Sequence, residues 1–174
     1  MWVPAAAGTR ITTWGWLIFS TALLWLTAAS LPALAATVAG QVELTNPARG
    51  FSPRDASGVV VWLVPLDADA AMPRTPRGKT ALNDQRGKRF IPHVIAVQAG
   101  TAVDFPNNDP IFHNAFSTFD GQIFDIGLYP PGRSRRVVFR RPGVVRVFCN
   151  IHPMMSAVIA VVETPWFAVT NKSG

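Results

Sequence analysis

The sequence predicts an all-β sandwich or barrel, and three observations point there. Beyond residue 36 the apolar residues alternate or run in short stretches, the signature of strands. No window of ten or more residues in that region carries a stripe of helical period. Finally, 13 glycines and 15 prolines punctuate the chain at short intervals, as turns between strands require. Composition supports a folded domain: 49% of the 174 residues are hydrophobic and 15% charged, which excludes the disordered class. A single cysteine excludes a disulfide-stapled scaffold.

Residues 1–35 stand apart. Arg10 is their only charge, and an uncharged, mostly apolar stretch runs from Ile11 to Ala29 before Pro32 breaks it. Ala33-Leu34-Ala35 then has the small-x-small form that signal peptidase accepts, so a signal-peptide helix cleaved after Ala35 is expected. The alternative is a retained anchor, since about 20 apolar residues can span a bilayer. Four of the six tryptophans (Trp2, Trp14, Trp16, Trp25) fall in this leader and do not count toward a core.

The strand pattern then runs in order. Val38–Leu44 alternates, and Gly58–Leu66 is a continuous apolar run suited to a buried strand. Phe90–Val97 follows, turned at Gly100 into Thr101–Phe105, and Pro106-Asn107-Asn108-Asp109-Pro110 is a dense turn signal. Ile111–Phe116, Gln122–Ile126, Arg135–Arg140, Val144–Cys149 and Ser156–Val162 complete the set, with Pro142-Gly143 joining two of them. Residues 67–88 read as a long basic loop and 164–174 as a flexible tail, leaving 36–163 as the domain.

Chemistry concentrates at the end of one strand. Alternation puts Val145, Val147 and Cys149 on one face and Arg146 on the other, so Cys149 points inward. His152 follows three residues later and Met155 three beyond, giving Cys-x-x-His-x-x-Met on one tight loop. His113 stands far upstream, just past the proline-rich turn. An unpaired thiol in an exported chain needs a purpose. A thiolate, imidazoles and a weak thioether suit copper cycling between Cu+ and Cu2+. Zinc has no use for methionine, and iron–sulfur clusters need more thiolates than one.

These segments resemble the cupredoxin (blue type 1 copper) family, in particular plastocyanin, amicyanin and methylamine-utilisation-type proteins. The resemblance lies in Phe90-Ile91-Pro92-His93, Gly100-Thr101, Val103–Asn107, His113-Asn114 and Val147–Met155. It implies a Greek-key β-sandwich holding one copper ion, with His113, Cys149 and His152 as equatorial ligands and Met155 as the axial one. The neighbouring Met154 keeps the axial assignment open. The resemblance further implies that Asn114 ties its loop to the copper loop, and that Met154, Pro153 and Phe112 form an apolar collar around His152. His93 is read as structural or exposed.

Function is then expected to be single-electron transport in the periplasm between redox partners, without substrate turnover. Neither a hydrolytic triad nor a phosphate-binding glycine loop is present. The alternatives are a copper-binding or delivery protein and a structural sandwich without a redox role. Charge is uneven: six arginines lie within Arg133–Arg146, whereas Ala102–Asp125 holds Asp104, Asp109, Asp120 and Asp125 with no Lys or Arg. The arginines suggest a partner with an acidic surface, such as a dehydrogenase or cytochrome. Nucleic acid is not an expected partner of an exported protein, and no membrane span is expected once the leader is removed.

Overall fold

In a computed structural model the structure describes residues 36–45, 55–67, 73, 78–118 and 121–174. The leader assigned to 1–35 lies outside the described residues, as do Met72, Arg74, Pro76, Arg77 and Asp120. The chain divides into two compact units, Met1–Val38 and Ala39–Gly174, and the strands belong to the second. Among the described residues every regular element is a strand, and no helix is long and apolar enough to cross a membrane.

Two sheets form the sandwich. The smaller contains β2 (Thr80–Leu82), β6 (Thr101–Pro106) and β9 (Ser134–Phe139), in the order β2-β6-β9. The larger contains β5 (Val94–Gln98), β7 (Phe116–Ser117), β8 (Phe124–Asp125), β10 (Gly143–Phe148) and β11 (Ser156–Val162), in the order β5-β11-β10-β7-β8. Val103, Phe105, Val137 and Phe139 from the first join Ile95, Val97, Val145, Val147, Ile159 and Val161 from the second in one buried cluster. Each such side chain contributes about 1.5–3 kcal/mol on burial. Alternation decides which residues face in: along β6 the odd positions are buried and the even ones half-exposed.

Strand registers define two ends of the sandwich. At one end tight turns cross between the sheets. Gly100, at φ 93, reverses the chain from β5 into β6 and donates its amide to Phe139 (2.6 Å), and Arg140–Pro142 joins β9 to β10. At the other end lie Pro106, paired with Ser134, and Phe148, paired with Ser156. There the crossings are made by longer loops, 107–115 and 126–133. Cys149 emerges at this second end.

Several sequence expectations are corrected. Residues 38–44 form no strand; Val42 only donates its amide to Gly174 O (3.3 Å). The Gly58–Leu66 run yields β1 (Val60–Trp62), which is not buried: it pairs with β12 (Phe167–Val169) in a separate ribbon, and Trp62 is 50% exposed. The segment 164–174 is therefore no flexible tail throughout, because β12 finds its partner in β1. The loop 67–88 carries β2 and β3 (Asp84–Gln85), the latter pairing with β4 (Phe90–Ile91). Pro92, which lacks an N–H, splits β4 from β5 where one strand was expected. The stretch 111–116 is mainly loop, with His113 in an isolated bridge to Tyr129.

Candidate metal centre

Two loops meet at the open end. The first, 107–115, is braced by Asn107, a buried residue that works in three directions. Its side-chain amide donates to the carbonyls of Ile111 (2.8 Å) and Tyr129 (3.2 Å), and its side-chain oxygen accepts the amide of Asp109 (3.1 Å). Its backbone accepts from Gly132 and donates to Arg133, each at 2.8 Å. Tyr129 exchanges backbone hydrogen bonds with His113 (2.9 and 3.3 Å) and donates its hydroxyl to Phe105 O (2.9 Å). Burial pushes the phenol of Tyr129 well above its ordinary range, so that hydroxyl stays a donor.

His113 is fully buried and held at both ring nitrogens. Nε2 lies 2.7 Å from Asp109 Oδ2. An ionised carboxylate only accepts, so Nε2 carries the proton and Nδ1 offers its lone pair to Cys149 Sγ, 3.8 Å away. Asp109 is itself gripped by the amides of Gly87 (2.5 Å) and Lys88 (2.8 Å). Burial works against its charge, but the hydrogen bonds from Lys88, His113 and Gly87 outweigh that and keep its pKa below the usual carboxylate value.

The second loop is short and closes on itself. Cys149 N–H donates to Met155 O (3.2 Å) and Met155 N–H to His152 O (2.8 Å). Asn150 N–H donates to the side-chain oxygen of Asn114 (2.8 Å), which ties this loop to the first. Cys149 is buried, and its Sγ lies 3.7 Å from His152 Nδ1. The two imidazole centroids are 4.7 Å apart at 60°. Burial, then the proximity of His113 and Lys88, holds the pKa of His152 below its ordinary value, which favours the neutral, ligand-competent ring.

The donor atoms of His113, Cys149 and His152 all lie within 4.8 Å of one another. Metal–sulfur and metal–nitrogen bonds are about 2.3 and 2.0 Å long. Sulfur–nitrogen separations of 3.7 and 3.8 Å are those of donors about 120° apart around a common ion. The donor set, one thiol and two imidazoles, therefore fits a copper ion, which His113, Cys149 and His152 would hold. The adjacent methionines differ sharply: Met155 is 1% exposed and Met154 93%. His93 is exposed and sits apart from the cluster, its Nδ1 2.9 Å from Ser156 O.

His113 has two partners, Asp109 at Nε2 and Cys149 at Nδ1, so support by Asp109 and metal binding are separate roles. Asn107, Tyr129 and the Gly87-Lys88 amides were not anticipated from the sequence. Only Asn107 left a trace, as an asparagine two residues before an aspartate in a turn.

The chain is similar to a methylamine utilization protein and to solved structures of cupredoxins and a copper-containing reductase. No family model matches it. The methylamine utilization protein MauL of Methylorubrum extorquens is 37% identical over 62 residues, 35% of this chain. The chain spans about half of that curated relative's length (54%). Among solved structures, the copper-containing nitrite reductase NirK of Thermus scotoductus is 28% identical, covering 57% of this chain and 27% of that one, with a TM-score of 0.46. A purple cupredoxin of Nitrosopumilus maritimus (22% identity, 48% and 98% covered, TM-score 0.42) and amicyanin of Paracoccus versutus (18%, 50% and 84%, TM-score 0.44) are similar in the same way.

Proposed function

We propose that this protein is a one-electron carrier that holds a single copper ion through His113, Cys149 and His152, with Met155 as the weak axial ligand. Bound copper supplies a one-electron couple between Cu+ and Cu2+. Cys149 would hold the ion as thiolate, its proton released to solvent, and the imidazoles of His113 and His152 would hold it through Nδ1. Asp109 orients His113 by accepting its Nε2–H, a support that ordinarily strengthens a ligand. Burial of Cys149, His113 and Met155 keeps water from the donors. His152 is half-exposed beside the exposed Ile151, Pro153 and Met154, which gives an electron a short way out.

The observation that carries this reading is the convergence of one thiol and two imidazole nitrogens from separate loops within 4.8 Å. Titrating the purified protein with Cu(II) tests it: an intense thiolate-to-copper charge-transfer band should saturate at one equivalent, and its absence overturns the reading. A copper-delivery role would favour ligands on loops that part readily, whereas here Asn107, Asn114 and Asp109 brace both loops. The same reading makes the protein a carrier without substrate turnover, exported by the 1–35 leader to the periplasm, and serving a redox protein such as a dehydrogenase or cytochrome. Comparing the N-terminus of protein recovered from periplasmic extracts with Ala36 tests the export.

A further inference from the structure

The turn joining β3 to β4, Arg86-Gly87-Lys88-Arg89, puts three cations in four exposed residues. It is a closed turn: Arg86 and Arg89 exchange backbone hydrogen bonds (3.0 and 3.2 Å), and Gly87 (φ 60) and Lys88 (φ 56) both take the left-handed conformation. Two amides from it grip the carboxylate of Asp109, whose other contact is the ring of His113. The turn is thus fixed to the metal-site end. Arg86 has an ion-pair partner in Asp84 (3.3 Å), whereas Lys88 and Arg89 have none among the described residues. The chain of contacts from the turn through Asp109 to His113 ends 4.7 Å, centroid to centroid, from the ring of His152. Arg133 belongs to the same end, since its carbonyl accepts the amide of Asn107.

The arginine-rich segment singled out by the sequence does not form one patch. β6 pairs with β9 from Thr101↔Phe139 to Pro106↔Ser134, so Arg140 and Arg141 sit at the far end, separated from Arg133 by the whole of β9, about 17 Å of strand. Arg136 is paired with Asp104 (2.6 and 2.8 Å). At the His152 end the cations that cluster are those of the Arg86–Arg89 turn, with Arg133 as the one arginine of the arginine-rich segment already placed at this end. From this arrangement we infer that the turn is the docking element for an acidic face of the redox partner, holding it against the half-exposed edge of His152. The inference rests on the electron-carrier reading. An electron donor or acceptor must approach His152 closely, which favours a protein partner over an anionic lipid surface.

Two measurements test it. The first uses the copper-free protein and the redox-inert paramagnetic trianion hexacyanochromate(III). Amide resonances of Gly87, Lys88 and Arg89 should broaden first, ahead of those of Arg140 and Arg141. Broadening centred on Arg140–Arg141, or binding of the turn to phosphatidylglycerol vesicles without binding of the trianion, overturns the inference. The second measures oxidation of the Cu(I)-loaded protein by hexacyanoferrate(III), in which one electron passes and hexacyanoferrate(II) forms. K88Q/R89Q should slow this about fivefold at low ionic strength and much less at high salt, while R140Q/R141Q, with the same loss of charge, changes it by less than about 1.5-fold. Equal effects of the two pairs, or none, overturn the docking role. If the copper band forms and these rates disagree, the carrier reading stands and only the docking role falls; if no band forms, the carrier reading itself fails.

Discussion

The two loops that build the candidate site are made differently. Loop 107–115 is held mainly by side chains: Asn107 bonds in three directions, and Asp109 links His113 to two backbone amides. Loop 149–155 is held mainly by its own backbone, with Asn114 as the tie across, and leaves Ile151, Pro153 and Met154 in solvent. One loop fixes an imidazole in the interior, and the other brings an imidazole to the surface. The contrast teaches a division of labour. A site that must hold its geometry and still be touched by a partner can assign the first task to one loop and the second to the other.

That division can be broken by substitution, and the largest effect is expected at Cys149. Cys149→Ser should abolish the copper charge-transfer band and the rise in melting temperature on copper addition, because an ion that binds only the folded state stabilises it. An unchanged band would remove Cys149 from the ligand set. Next comes Asn107→Ala, expected to cost about 3 kcal/mol in urea unfolding of the copper-free protein, since it removes the side-chain partners of Ile111 O and Asp109 N–H and one of the two donors to Tyr129 O. A cost below about 1 kcal/mol would mean that the first loop is held by something else.

The second loop offers an internal control. Met155→Ala removes a buried side chain and should cost about 3 kcal/mol by leaving a cavity, whereas Met154→Ala should lie within about 0.5 kcal/mol of the parent. Similar values for the two would contradict the sharp difference in exposure. The smallest effect concerns Asp104, away from both loops. The hydrogen bond from Arg136 holds its carboxyl below the usual value, against a smaller opposing effect of burial. The folded state then binds fewer protons than the unfolded chain around that value, so the contribution is present above about pH 4 and lost as pH falls. The pair is partly exposed, so Asp104→Asn should cost about 0.5 kcal/mol at pH 7 and nothing at pH 2. Urea midpoints at the two values check the sign.

Much of the site was legible in the sequence because it depends on short-range periodicity. Alternation along Val144–Cys149 is enough to turn the thiol inward, and fixed spacing brings His152 and Met155 onto the same loop. Between Met154 and Met155 the sequence offered spacing alone, which favours Met155, since adjacent loop residues have no period to separate them; in the structure Met155 is buried and Met154 exposed. What depends on distant partners was also hidden. Phe167–Val169 looked unpatterned because its partner is Val60–Trp62, at the other end of the domain sequence. That same partner looked buried, because an unbroken apolar run is the mark of a covered strand. Instead it forms a two-stranded ribbon with much of its surface in water.

The unequal ends of the sandwich bear on how the molecule would come apart. Where Gly100 and Arg140–Pro142 cross, the spacing between the sheets is fixed by covalent chain. At the opposite rim it is maintained by side chains on long connections, and a cation bridging residues 113 and 149 would act there as a removable clasp. Losing the ion should let that rim gape first while the stitched edge stays shut, so amide exchange around Asn150 and Asn114 ought to quicken on demetallation well before that of Gly100.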